Sequence, residues 1–189
     1  MSKPASHENK RHASAGRRLF WRNASGASAL EFALVAFPFI LLLLAVFEVG
    51  IVFSANFSLE NAVSEGARLI RTGQAQTQGF DAGKFQTEVC KYIRAPIKCG
   101  GLKLDVRHFS SFGGAGSDLT NPLDTNGNLK TNFSYDPGVG GDVVVVRAFY
   151  EWNVTAKFPK QIGLGNMNNG DRLLVATAAF RNEPFQPPQ

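Results

Sequence analysis

Histidine is scarce in this chain. The 189 residues hold three, and His7 and His12 lie in a basic N-terminal stretch, so only His108 remains for imidazole chemistry beyond it. There is no G-x-S-x-G, no H-E-x-x-H and no P-loop, which removes the commonest designs for acyl transfer, zinc hydrolysis and nucleotide hydrolysis. Cysteine is limited to Cys90 and Cys99. Their spacing is not C-x-x-C, and His108 cannot complete a zinc site without two more ligands. The acids Asp105, Asp142 and Glu151 are scattered; a glycosidase pair is conceivable among them, but strand-face or turn charges are the simpler reading. The sequence therefore calls for no catalytic residues, no cofactor and no metal, and it has no internal repeat.

Excess charge is also missing from most of the chain. The formal net charge of +5 points at first to a nucleic acid or an acidic membrane. Before residue 27, however, Lys3, Lys10, Arg11, Arg17, Arg18 and Arg22 face only Glu8, and that stretch carries the whole +5. From residue 27 onward 14 basic residues meet 14 acidic ones. No basic face is demanded by this balance, so nucleic acid is not an expected partner.

What the sequence does have is one long apolar run. Phe32 to Phe47 reads FALVAFPFILLLLAVF, 16 residues bracketed by Glu31 and Glu48, and VGIVF continues it to Phe53. Taken from 27 to 53, it is long enough as a helix, at about 1.5 Å per residue, to cross a hydrocarbon core about 30 Å thick. A buried core helix is the alternative, but four consecutive Leu beside Phe, Ile and Val on every face fit lipid better. Pro38 removes one donor and crowds the carbonyl of Leu34, so a kink is expected there. Residues 7–26 carry five Lys/Arg and residues 54–73 carry two, so the positive-inside rule puts the N-terminus in the cytoplasm and the body outside it. An ordinary signal peptide would end in a small-x-small site; Phe53-Ser54-Ala55 imitates one poorly.

The junction before the run is more informative. Gly26 is followed five residues later by Glu31, and Glu31 opens the apolar stretch. A basic leader, Gly, four residues, Glu and then about twenty apolar residues resembles the type IV prepilin signal. The resemblance can be narrowed to the TadE-like family. The elements that carry it are Glu31-Phe32-Ala33-Leu34 with Pro38, then Glu48-Val49-Gly50, then Ala62 to Arg68. It covers Gly26 to Arg71 and leaves the rest of the chain without a family signature.

The resemblance implies a minor pilin (pseudopilin) of a bacterial tight-adherence, Flp-type pilus system. It implies a prepilin peptidase that cuts between Gly26 and Ala27 on the cytoplasmic side, leaving Glu31 as the fifth mature residue. Other pilins, the assembly platform and the inner membrane are the implied partners, with the C-terminal domain periplasmic or carried into an extracellular pilus. Gly suits such a cut because it lets an extended backbone approach a peptidase closely. The freed amine of Ala27 is a cation at a low-dielectric boundary, and Glu31 can pair with it on its own chain or a neighbour, which makes Glu31 the assembly residue. Ala27 departs from the Phe or Met often found at the first mature position. The competing reading is a membrane-anchored extracytoplasmic binding module that is never cut.

Beyond the membrane an α+β domain with an antiparallel sheet is expected. The expected organisation is a cleaved leader, 1–26; a transmembrane helix, 27–53; an amphipathic continuation, 54–73; an extracytoplasmic domain, 74–181; and a Pro-rich tail, 182–189. In the continuation Val52, Ala55, Leu59, Ala62, Val63, Gly66 and Ile70 share one face. Residues 74–83 read as a loop and Asp81 to Tyr92 as a short helix. An even cysteine pair outside the cytoplasm is most simply a Cys90–Cys99 disulfide, stabilising by about 2–3 kcal/mol. Leu102 to Phe109, Asp142 to Val154 and Arg172 to Arg181 read as strands, the last ambiguous with helix because it is rich in Ala. Residues 110–141, rich in Gly, Asn and Asp, read as an excursion or flap. Asp124-Thr125-Asn126-Gly127-Asn128 resembles the start of a calcium loop, but its Gly is misplaced and no acid closes it, so a plain turn is expected.

Overall fold

A computed structural model describes residues 24–153 and 165–185. Most of the expected leader, Val154 at the end of the second strand reading, and the last four residues of the tail lie outside the described residues. The chain divides into two units, 1–46 and 47–189. Helix α1, Ala24–Arg71, begins in the first and ends in the second. In the first unit no side chain from residue 26 to 46 is buried, although nearly all are apolar.

The second unit is α+β. After α1 come α2 (Gln74–Thr77), α3 (Ala82–Cys90), β1 (Lys103–Phe109), α4 (Phe112–Asp118), β2 (Val143–Trp152) and β3 (Arg172–Arg181). The helical periodicity after residue 52 is realised in packing: Ala55, Leu59, Ala62, Val63 and Ile70 are buried in one cluster with Val106, Val144, Val146, Ala148, Leu174 and Ala176 of the sheet. Each large aliphatic side chain removed from water in this way stabilises the fold by about 1.5–3 kcal/mol before entropy is counted. Arg68 and Arg71 in the last turn complement the carbonyl end of the helix dipole. Gly73, at φ 76°, takes the left-handed conformation that ends α1, and its N–H bonds the Ile70 carbonyl at 2.9 Å. The ring of Phe185 lies over it where a Cβ would stand.

α2 is a single turn inside the stretch read as loop. α3 starts where Asp81 Oδ1 accepts the Lys84 N–H at 2.7 Å, and it buries Phe85 and Val89. It meets α1 at Gly66, where an added Cβ would come within 2.6 Å of Val89 Cγ2 and 3.3 Å of Phe85 Cζ. Ser58 on α1 both donates to the Arg94 carbonyl (3.0 Å) and accepts from the Arg94 N–H (2.8 Å), fixing the loop after α3. That loop is closed by a disulfide between Cys90 and Cys99, whose Cα atoms are 5.7 Å apart.

The sheet is antiparallel with order β1-β2-β3. Val106 pairs with Val146 and Val145 with Ala179. β2 is central, and its first seven residues are all buried, which explains why VVVV runs without alternation: both faces are covered. One face receives α1 and α3. The other carries Phe149 and Leu173, which cluster with Met167 of the turn before β3 and with Leu123, Leu129 and Phe133. The Phe133 and Phe149 rings are stacked at 5.0 Å.

Residues 110–141, read from composition as an excursion or flap, are tied to the sheet at several points. The Val106 N–H bonds the Ser134 carbonyl (2.8 Å) and the Asp136 N–H bonds the Val106 carbonyl (2.9 Å), so the segment lines the outer edge of β1. α4 stands within it, an element that the three glycines of FGGAGSD concealed. Ser111 Oγ caps α4 by accepting the Gly114 N–H at 3.2 Å, and Ala115 is buried.

Candidate membrane anchor and processing site

Between residues 26 and 71 an 18-residue window of α1 reaches a mean hydropathy of 2.6, with none of that window buried. By length and composition this helix can cross a membrane. Phe32, Val35 and Phe47 are 74, 71 and 68% exposed, and the exposure lies on all sides of the helix rather than on one face. A surface of that kind in water has a large unfavourable free energy, and lipid removes it. α1 continues through Pro38, whose ring leaves the Leu34 carbonyl without its usual helical donor.

Gly26 and Ala27 lie in the first turn of α1 and both are exposed. A Cβ on Gly26 would meet nothing within 4 Å, so packing within the chain does not require a glycine there. Glu31 is exposed and lies one turn beyond Ala27 on the same helical face. Ala27 and Glu31 therefore share one face of the helix, and Gly26 lies on another. Cys90 and Cys99 belong to the second unit, bonded to each other.

Two polar contacts were not visible in the sequence. Trp152 at the end of β2 donates its indole N–H to Glu48 Oε1 at 3.3 Å. Asp105 is 1% exposed and holds Arg147 by bonds of 2.5 and 3.2 Å to Oδ2. Arg107 Nε lies 3.1 Å from both oxygens of Asp105, and the Ser134 N–H bonds Oδ1 at 3.0 Å. Arg147 spends a further N–H on the Thr120 carbonyl at 2.9 Å. Burial pushes the Asp105 carboxyl up, but the hydrogen bonds from Arg147, Ser134 and Arg107 and the charge of Arg147 outweigh it, leaving it below the ordinary carboxylate range. With every oxygen engaged, this cluster is a structural tie across the sheet.

The other scattered acids have local duties. Asp142 Oδ2 accepts the Val139 N–H at 2.9 Å in the turn before β2, and Glu151 is exposed. Asp124 Oδ1 accepts the Asn126 and Asn128 N–H groups at 2.8 and 2.9 Å, and Gly127 sits at φ 73°, which is a tight turn built on an aspartate side chain. Among the described residues no three His, Cys, Asp or Glu side chains are grouped as a metal ion would need. A shallow groove of about 280 Å³ lies between α1 and β3, lined by Glu65, Ala67, Arg68, Ala178 and Phe180 among others.

The fold and anchor define a small α+β protein with one N-terminal apolar helix suited to membrane attachment. A family model described as TadE-like protein matches residues 26–68, the stretch that carries the resemblance drawn from Gly26 to Arg71. The match starts at the candidate cleavage glycine and ends in the amphipathic part of α1. It spans less than a quarter of the chain. No curated protein and no solved structure matches the chain.

Proposed function

We propose that this chain is a minor pilin, or pseudopilin, that serves assembly of a tight-adherence, Flp-type pilus. A prepilin peptidase removes the leader between Gly26 and Ala27 on the cytoplasmic side. The apolar part of α1 stays in the inner membrane, and the α+β domain lies in the periplasm. The role is structural and needs no catalytic chemistry. The observation that carries this reading is the TadE-like match beginning at Gly26, in the first turn of an exposed apolar helix, with Glu31 five residues further along.

Three features support it. Gly26 has no packing reason within the chain to be glycine, which fits a glycine that serves a peptidase's close approach to the backbone. Gly also lowers helix stability by about 1 kcal/mol relative to Ala, so the first turn of α1 opens readily for a peptidase. Once the cut is made, the new amine of Ala27 and the Glu31 carboxyl lie on one helical face, and neutralising them together relieves the cost of holding either in lipid. The same pairing between neighbouring subunits sets their register. The disulfide suits an oxidising space outside the cytoplasm.

N-terminal sequencing of the protein purified from membranes, with and without the prepilin peptidase, tests the proposal. The expected mature start is Ala27, lost without the peptidase and lost in Gly26→Leu. Glu31→Ala is expected to leave cleavage largely intact and to impair piliation. An intact leader in cells that hold the peptidase would replace this reading with an uncut, anchored binding module.

A further inference from the structure

Glu31 and Glu48 bracket the apolar run, and the 17 helical steps between them span about 25 Å at 1.5 Å per residue. The hydrocarbon core is about 30 Å thick. The backbone at the two glutamates is therefore closer together than an ordinary hydrocarbon core is thick, and tilting the helix only shortens the distance between them along the normal. Apolar exposure does not stop at Glu48: Val49, Ile51, Phe53 and Phe57 are 55, 43, 75 and 70% exposed. This places Glu48 at or just inside the boundary rather than clear of it. A carboxyl group at that depth needs a donor.

The donor is Trp152. Its indole N–H bonds Glu48 Oε1, and its ring is only partly buried against the core cluster that also holds Val52. Glu48, Val52 and Trp152 all belong to the second unit, so the sheet end and this level of the helix form one body. Tryptophan is the side chain best suited to such a level, with an apolar ring for the acyl chains and a polar N–H for the boundary.

We propose that the Trp152 end of the sheet rests in the headgroup–acyl boundary of the bilayer, with Trp152 as an interfacial anchor that shields Glu48 and sets the depth of the helix. The occupant of this surface is phospholipid. The proposal rests on α1 crossing the membrane and is independent of whether the leader is cut.

The sequence has two tryptophans, Trp21 and Trp152, so Trp21→Phe leaves Trp152 as the sole indole. The full chain carrying that change is reconstituted into phosphatidylcholine–phosphatidylglycerol vesicles with acyl chains brominated near the glycerol end or near the methyl end. Indole emission should fall most with bromine near the glycerol end, fall less with bromine near the methyl end, and resist aqueous iodide. A chain that floats with the vesicles but is quenched by iodide and not by brominated lipid overturns the proposal alone. A chain that fails to float overturns the spanning helix and the proposal with it. Glu48→Gln keeps an acceptor for the indole and should preserve the brominated-lipid pattern; loss of that pattern in Glu48→Gln, with the chain still folded, would overturn the role given to the Trp152–Glu48 contact.

Discussion

Replacing Asp105 by Ala should be among the most damaging single changes in the second unit. Asp105 is 1% exposed and sits opposite Arg147 in the β1–β2 register. Its loss leaves the Arg147 guanidinium, 8% exposed, with no counter-charge, held by the Thr120 carbonyl and the face of the Phe149 ring, and leaves the Ser134 N–H without its acceptor. Stranding one partner of a buried pair costs about 3–5 kcal/mol. For a domain of this size that is a fall in Tm of about 10–15 °C. Arg147→Met should cost less, near the lower end of that range, because Asp105 keeps Arg107 and the Ser134 N–H. The double variant should be more stable than the sum of the two changes predicts by about 2 kcal/mol, since the buried Arg147 charge goes with its partner and the Arg107 that also loses Asp105 is the more exposed of the two. The folded carboxyl lies below its ordinary value, so the contribution is present at neutral pH and disappears as pH falls below the carboxylate range through the folded value. Asp105→Ala should therefore flatten the acid limb of the stability curve. Thermal unfolding of the detergent-solubilised chain, followed by circular dichroism across pH, measures both effects. A Tm within a few degrees of the parent, with the acid limb unchanged, would refute the view that this ion pair holds the segment after β1 to the sheet.

Two further changes test the packing. Gly66→Ala drives a methyl into Val89 and Phe85, so despite the better helix propensity of Ala it should lower stability by about 1–2 kcal/mol, read as a lower Tm. The Tyr135 hydroxyl is buried without a hydrogen-bond partner among the described residues, and burial, helped by the charge of Asp81, pushes its pKa up to about 12. Tyr135→Phe should leave neutral-pH stability unchanged or raise it by up to about 1 kcal/mol. Because the folded value is raised, the parent should also lose stability as pH climbs from about 10 to about 12, a loss that alkaline unfolding curves should find reduced in Tyr135→Phe.

Much of this architecture is legible in the sequence because periodicity reports faces directly. The stripe Ala55, Leu59, Ala62, Val63, Ile70 is the buried stripe of α1, and the unbroken valines of β2 mark a strand covered on both sides. β3 occupies the residues expected of it, Arg172–Arg181; its alanines left helix open until pairing with β2 decided the matter. In the sequence Asp105 has the look of a strand-face or turn charge. Alternation tells which side of a strand a residue occupies but not whether that side is covered, and here the cover comes from Ser134 and its neighbours, 29 residues later. The Trp152–Glu48 contact spans 104 residues of sequence and leaves no local signal at either end. α4 was hidden because Gly-rich composition masks a helix that a Ser111 cap and one buried alanine maintain.

The order in which the core is assembled also sets a schedule for synthesis. The stripe of α1 is made first, while Leu174 and Ala176 of its cover arrive only with β3. From Ile70 to Leu174 a ribosome takes roughly 5–20 s at ordinary elongation rates. Val106 of β1 and Val144 to Ala148 of β2 arrive within that interval, but the cover over Leu59, Val63 and Ile70 stays incomplete until β3 is made. A chain truncated before β3 therefore keeps its apolar helix but leaves part of the α1 stripe uncovered, because Leu174 and Ala176 are missing from the core.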